Sequence, residues 1–574
     1  MKNRWIRMMS LTAALALLAV LPSGCGQAPQ TEDSSVVSED RSMGNSSESV
    51  SPKATIDADP LIPVTSDTIE NFNITGYPIV NQPITLKVMF QANALCGDLN
   101  EMKVFKAAEE LTNIKMEIDY YTEVSAWDTA KNLAFVSGDL PDIFLSANLS
   151  SDDEIKYGQT GYLRPLGELV EEYAPFVTKG FADFPDYLKA VTALDGNIYS
   201  LGNVNKGTSR ASAILYINET WLGRVGMELP TTTDEFYEVL RAFQTGDPDG
   251  DGDPTNTIPL SCVGTSMLFQ TILPAFGDPG GGTWRLVDDE VSYSPALDSY
   301  RHCLEYLNKL YAEKLLDNEF LTQSNAELYA KGQDGTAAGI LTVTPASMIK
   351  TNPENQYDTY SILQPMTSEY CSTKWAKDTD IYNMGSFAIT SSCQYPEAAI
   401  RWADLWHRDR EHIVNGLYGE SWLRGVLGED WWWTDEEETR FAMAEDPTGE
   451  LSQSNYRYKY ISPAGNGTRI GDTSGIIWDE YFQVLKATQS ELNHFPFTVN
   501  GYPSTARYTA EEQERLNILQ ANLDSYVAQM TAKFITGEEK IAEKWDVYVA
   551  ELKAIGYEEL TQIKQAAYDR WNQN

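Results

Sequence analysis

The stretch that most constrains the fold is an alternation of apolar runs and amphipathic segments between residues 83 and 144. Pro83-Ile84-Thr85-Leu86-Lys87-Val88-Met89-Phe90 alternates or runs apolar as a strand does, and Asn100 to Asn113 carries a helical spacing. Lys115-Met116-Glu117-Ile118-Asp119-Tyr120 reads as a second strand. A helix follows from about Ser125 to Val136, stopped by Ser137-Gly138, and Leu140-Pro141-Asp142-Ile143-Phe144 is a short buried strand. Strands separated by helices of about ten residues build parallel βαβ units, and therefore an open α/β sheet. Such sheets bind ligands in the crevice beyond the carboxyl ends of their strands. Here those ends are Gln91 to Asp98 and Ser146 to Ser150.

The same grammar recurs further on. Asp195-Gly196-Asn197-Ile198-Tyr199 is a turn into an extended stretch, and Ala213 to Asn218 is a strand leading into a helix from Glu219 to Gly226. Pro230-Thr231-Thr232-Thr233-Asp234-Glu235-Phe236 supplies an N-cap and an acidic first turn to a helix ending near Gln244. From Ala510 to Trp571 the chain reads as long amphipathic helices broken at Gly537, expected to pack on the preceding body. With 574 residues and 42% hydrophobic content, the chain can fill more than one core.

The N-terminus places the body outside the cytoplasm. Lys2, Arg4 and Arg7 precede an apolar run from Met8 to Leu21 and then Pro22-Ser23-Gly24-Cys25, which is the layout of a secretory signal and too short for a permanent span. The Gly24-Cys25 junction resembles a bacterial lipobox, which implies acylation of Cys25, for example by palmitate, after removal of residues 1–24. From Gly26 to about Thr75 the sequence is rich in Ser, Glu, Asp, Pro and Thr, and residues 25–80 are expected to form a flexible tether. The net charge of −40 repels nucleic acid and anionic lipid. Five cysteines beyond Cys25, without regular spacing, argue against a disulfide framework, and four histidines without an H-E-x-x-H pattern give no zinc site.

Several segments together resemble the bacterial extracellular solute-binding proteins, in the branch of large sugar-binding lipoproteins of ABC importers. They are Ser137-Gly138-Asp139-Leu140-Pro141-Asp142-Ile143, Asp195-Gly196-Asn197-Ile198-Tyr199, Tyr216-Ile217-Asn218 with Trp221-Leu222, and Leu229-Pro230-Thr231-Thr232. The likeness continues through Tyr306 to Tyr311, Cys393 to Trp402 and Met530 to Gly537. The resemblance implies a two-lobed, periplasmic-binding-protein-like α/β fold with hinge strands between Tyr199 and Ala213 and near Asp380 to Ile389. The first lobe would hold residues 81–205 and about 385–410. The second would hold 206–384 and about 411–508, with helices 509–574 packed on both. It further implies a monomeric, lipid-anchored receptor on the outer face of the cell membrane. Such a receptor captures an oligosaccharide between its lobes, delivers it to the permease subunits of an ABC importer, and catalyses nothing. A secreted carbohydrate-active enzyme, needing two carboxylates about 5–10 Å apart, and a receptor for peptides or small organic ions are the competing readings.

Asp247-Pro248-Asp249-Gly250-Asp251-Gly252-Asp253 opens like a D-x-D-x-D-G calcium loop, in which hard oxygens converge on the cation and glycine permits the turn. Position twelve is Ile258 rather than Glu, so a true EF-hand is not expected. Sugar-binding relatives carry a calcium loop just before an Ile-Pro, here Ile258-Pro259, and by that resemblance Asp247, Asp249, Asp251, Asp253 and Asn256 are the ligands of a structural calcium. For the sugar, an aromatic wall with a few polar groups is required. Gly419-Glu420-Ser421-Trp422 resembles the family segment that precedes a loop facing the cleft, which makes Trp422 the preferred stacking residue, followed by Trp284, Trp127, Trp478, Trp375 and Tyr216. Asp98, Asn148 and Arg424 are the polar candidates. Trp431-Trp432-Trp433 cannot all point inward from one strand or helix.

Overall fold

In the computed structural model the described residues run from 69 to 573, apart from 207–212, 254, 338, 342–358, 379, 464–466, 473–476 and 480. They fall within one contact-dense unit, Val50–Asn574. The expected signal, Cys25 and the start of the tether lie outside the described residues. The tether is shorter than expected at its far end, because Ile79 and Val80 are fully buried in the first core and the Asn73 carbonyl accepts a hydrogen bond from Arg401 Nη1 at 2.6 Å.

Strands β1 (Ile84–Gln91), β2 (Ile114–Tyr121) and β3 (Ile143–Leu145) are parallel, with Ile84 opposite Ile114 and Val88 opposite Ile143. Helix α1 (Lys103–Thr112) covers them with Val104, Phe105, Ala108 and Leu111, and ends at Asn113 in the left-handed region. Helix α2 (Val124–Ser137) ends the same way at Gly138. Helix α3 (Ser151–Gln159) starts at a capping box formed by Ser150 and Asp153. The sheet is completed by β4 (Leu201–Lys206), by Tyr382–Ile389 and by Arg469–Asp472, in the order Arg469–Asp472, β4, Tyr382–Ile389, β3, β1, β2.

A second sheet, over a separate core, runs in the order Tyr360–Ile362, β5 (Tyr216–Asn218), Ile340–Leu341, β6 (Leu260–Ser261). The chain passes between the two sheets after Lys206 and returns through Tyr382–Ile389, which lies antiparallel to β3 and β4. It leaves again after Arg469–Asp472, and the helix Tyr481–Asn493 then clasps the second sheet. Gln489 Oε1 accepts from the Ile362 N–H at 2.6 Å and Asn493 Nδ2 donates to its carbonyl at 2.9 Å. The segment before Ala510 touches the first lobe through Arg507, and the helices Ala510–Thr536, Ile541–Ile555 and Tyr557–Gln573 complete the second core with Leu523, Phe534, Tyr548 and Leu560.

One expected boundary moves. Val414, Leu417, Trp422 and Val426 belong to the first core, and Arg469–Asp472 pairs with β4, so much of 411–508 builds on the first lobe rather than the second. The cause is local: tryptophans Trp402 and Trp406 at the end of the helix Pro396–Leu405 need partners, and residues 414–426 supply them. A small sheet of Trp431–Trp433, Arg440–Met443 and Ile477–Trp478 follows on the same side of the sequence.

Candidate functional site: polar strand ends and an acidic loop

The carboxyl ends of the parallel strands carry polar groups held in fixed positions. Gln91 closes β1, and its Oε1 accepts from Asn148 Nδ2 at 2.7 Å across the sheet from the loop after β3. Asn148 holds a left-handed conformation (φ 48°) that Asn tolerates better than most residues. At the end of β2, Tyr121 donates to Asp119 at 2.7 Å. That bond, together with partial burial, pushes its hydroxyl up to about 12, so it stays protonated as a donor-acceptor. Asp98 is exposed and accepts from the Asn100 N–H at 3.0 Å, capping the short turn Leu99–Glu101. The loop 92–98 is also pressed by a later segment: the Gly97 N–H donates to the Tyr458 carbonyl at 3.3 Å, and a Cβ on Gly97 would lie 2.2 Å from the Lys459 carbonyl oxygen.

Beside the β3–α3 loop lies a buried polar knot. Arg507 Nη1 is 2.5 Å from Glu154 Oε2 and its Nη2 donates to the Ala190 carbonyl at 2.6 Å. The other Glu154 oxygen accepts from Ser200, whose Oγ accepts from the Gly385 N–H at 3.1 Å. Gly385 has φ 72°, and a Cβ there would fall 2.1 Å from the Leu149 carbonyl oxygen, so only glycine lets the returning strand pass the β3–α3 loop so closely. The knot joins α3, the start of β4, the returning strand and the segment before the C-terminal helices.

Most of the expected aromatic platforms are core. Trp422 is fully buried, stacked on Phe90 at 6.3 Å and edge-on to Phe105, Trp402 and Trp406 at 5.8, 6.5 and 5.5 Å. Trp127 is buried against Phe144, and Trp284 against Tyr293 with the Lys564 ammonium 5.0 Å from its ring. Tyr216 is buried beside Ile214 and Ile362. Arg424 is an internal tie: it pairs with Glu420 at 2.9 Å and its guanidinium lies 3.9 Å from the Phe441 ring centroid. These five are corrections: the four aromatic side chains are drawn inward because each buries a large apolar area, and the Arg424 guanidinium is taken up by Glu420. Trp375 and Trp478 are half-buried, and Asp98 and Asn148 are exposed, so these four remain open to a ligand. In the Trp431–Trp433 strand, Trp431 is buried and Trp432 is 44% exposed, as strand alternation requires.

The acidic loop is assembled on the second lobe. Arg224 Nη1 donates to the Pro248 and Asp249 carbonyls at 2.6 and 2.8 Å, anchoring the loop to the helix Glu219–Val225, and the Ile258 N–H bonds the Thr336 carbonyl at 2.7 Å. Asp247, Asp249 and Asp251 each offer a carboxylate oxygen, and the three lie within 4.8 Å of one another. Burial, then the crowding of Asp247 and Asp251, raises the Asp249 carboxyl above its ordinary value. Asp249 Oδ1, Asn256 Oδ1 and Thr257 Oγ1 are buried without a hydrogen-bond partner. Asn256 Nδ2 donates to Asp251 Oδ2 at 2.7 Å, which leaves its carbonyl oxygen unengaged. Crowded carboxylates beside orphaned oxygens suit a hard cation, and an all-oxygen set of this kind suits calcium. Asp253 does not join them; it turns away to accept from the Thr255 N–H and Oγ1 at 2.9 and 2.6 Å.

Two α/β bodies, each with its own sheet and core, joined by repeated chain crossings and with polar groups at the carboxyl ends of the parallel strands, define a two-lobed ligand-binding protein. Residues 98–406 match the bacterial extracellular solute-binding proteins, and the chain belongs to that family. It is a binding protein and not an enzyme. It is similar to the fructooligosaccharide ABC transporter substrate-binding protein FusA of Streptococcus pneumoniae, 25% identical over 522 residues that cover 85% of this chain and 91% of FusA. Structures of FusA, with kestose and, for an EF-hand mutant, with fructo-nystose, superpose with a TM-score of 0.69 at 24% identity, covering 86% of this chain and 100% of theirs. The alginate-binding protein AlgQ2 without calcium ion has a TM-score of 0.63 at 22% identity, over 85% of this chain and 99% of its own. Among the described residues, no helix is long and apolar enough to cross a membrane.

Proposed function

We propose that the chain captures an oligosaccharide in the crevice between its lobes and hands it to the permease of an ABC importer. The observation that carries this reading is the pairing of two separate sheets and cores with crossing strands that begin and end beside the polar strand ends Gln91, Asn148 and Tyr121. Crossing strands permit hinge closure, and a ligand that touches both lobes favours the closed state by its differential affinity. The likeness to FusA over nearly the whole length supports a sugar as the ligand and an importer as the partner. Trp375, Trp478, Asp98 and Asn148 are the remaining candidates from the sequence for contact with it. Cys25 would carry the lipid that holds the exported, monomeric body at the outer face of the membrane. A titration with fructo-oligosaccharides, with the sugar recovered and analysed afterwards, tests the reading.

Asp247, Asp249, Asp251 and Asn256 would hold a calcium ion whose role is structural, supported by the orphaned oxygens around them. A cation that binds only the folded state stabilises it by mass action, about 2.7 kcal/mol at a hundredfold excess over its dissociation constant. EDTA is therefore expected to lower the melting temperature of the second lobe by roughly 5 °C or more. The double variant Asp249→Ala, Asp251→Ala should melt at the EDTA value whether or not calcium is present. A wild-type melting curve that EDTA leaves unmoved contradicts the assignment.

A further inference from the structure

A cavity of about 600 Å³ opens where the last helix meets the first lobe, well within the size range of small-molecule sites. One wall is built by the helices Pro175–Asp183 and Pro185–Val191 and the turn after them, whose Tyr187 and Val191 are buried in the first core. The other wall is the helix Tyr557–Gln573, whose Leu560 and Tyr568 belong to the second core. None of the polar strand ends Gln91, Asn148 and Tyr121 lines this cavity, so it is a different place from the proposed sugar site.

Its lining combines an apolar surface with charges of one sign. Phe181, Leu188, Leu194 and Trp571 supply the apolar part, and Leu188 and Leu194 are 40% and 42% exposed, so apolar surface here still faces water. The charged side chains of the lining are Lys189, Arg507 and Arg570, and no Asp or Glu accompanies them. In a chain where 83 acidic residues face 43 basic ones, composition alone would supply the opposite sign.

Two of the cations are fixed from behind. Arg507 is buried, with its Nη2 on the Ala190 carbonyl at 2.6 Å, and Arg570 donates to Glu512 Oε1 at 3.0 Å and to the Arg507 carbonyl at 3.1 Å. A guanidinium carries five N–H donors, and the Nε of each arginine has no hydrogen-bond partner, so donors outnumber acceptors around the cavity. Lys189 is held more loosely. Its carboxylate partner, Asp186, lies 3.5 Å away and is 51% exposed at the side chain, a pairing that solvent weakens. The ammonium therefore stays available to a second anion.

We propose that this cavity is a second ligand site, which takes a small organic acid with an apolar body. Lys189 would receive the carboxylate in a charge-assisted hydrogen bond, and Trp571 with its apolar neighbours would cover the body. An uncharged ligand would leave Lys189 without its anion.

The test is calorimetric titration of the whole chain, without sugar, using phenylacetate and octanoate as the acids and phenylacetamide as the uncharged control. Saturable binding of at least one acid at one per chain is expected, with phenylacetamide at least about tenfold weaker than phenylacetate. Lys189→Gln should weaken the acid that binds by about tenfold and Trp571→Ala by about fivefold. Both variants should melt as wild type does and bind kestose as wild type does, which separates loss of the site from loss of the fold. Failure of both acids to bind overturns the proposal, as does equal binding of phenylacetamide, or affinity that neither variant changes. Because the acids are titrated without sugar, these outcomes are independent of the oligosaccharide reading.

Discussion

Arg507→Met is expected to destabilise the first lobe by about 3–5 kcal/mol, one of the largest losses available to a single substitution in this chain. Its partner Glu154 is 1% exposed at the side chain and Arg507 itself 5%, and the pair is 2.5 Å apart. Truncating the arginine leaves the Glu154 carboxylate in place, desolvated, with Ser200 as its remaining close donor. A buried ion pair is not in itself a strong source of stability, but removing one member strands the other. The double variant Glu154→Gln, Arg507→Met should therefore recover most of the loss. Urea denaturation followed by tryptophan fluorescence and far-UV circular dichroism checks both. A loss below about 1 kcal/mol for the single variant would show that water or another group satisfies Glu154. The knot also links α3, β4 and the returning strand Tyr382–Ile389 to the approach of the C-terminal helices, so the variant is expected to alter lobe closure as well as stability.

Trp422→Ala should cost about 3–5 kcal/mol, the range for deleting a large aromatic from a packed core. The side chain meets four aromatic rings within 6.5 Å, and a Cβ on Gly467 would lie 2.1 Å from its indole, so the surrounding backbone has been shaped to it and cannot easily collapse into the void. Trp422→Phe should lose less, because part of the volume is kept. Affinity for sugar in the fraction that remains folded should change little. A variant of unchanged stability that has lost its ligand would reverse the assignment and return Trp422 to the crevice.

These two residues mark where sequence reasoning stops. The βαβ succession was legible because its signals are local: alternation in Ile84–Gln91, the amphipathic face of Lys103–Thr112, and left-handed stops at Asn113 and Gly138 all arise within a few residues of one another. The acidic loop was legible for the same reason, since its carboxylates and glycines are consecutive, although Asp253 has a local partner in Thr255 that takes it out of the cluster. The role of a tryptophan is not local. Trp422 meets Phe90 more than three hundred residues away, and Arg507 meets Glu154 at a separation of 353 residues. A count of 14 Trp and 31 Tyr says that aromatic surface is plentiful and nothing about which of it is turned inward. The π turn at Arg457–Ile461 escaped because Tyr456-Arg457-Tyr458-Lys459-Tyr460 alternates aromatic and basic residues with the period of a strand. The boundary between lobes was misplaced after residue 411 because the chain revisits the first sheet with the four-residue strand Arg469–Asp472, too short to announce itself.

The central claim is capture of an intact oligosaccharide between the lobes. Its most direct test is small-angle X-ray scattering of the chain across a titration with kestose and longer fructo-oligosaccharides, with the sugar recovered from each sample and sized by chromatography. Saturable binding, a radius of gyration that falls as the sites fill, and sugar recovered at its starting length are the predicted result. Shortened sugar, or saturation with no change in the radius of gyration, would contradict it.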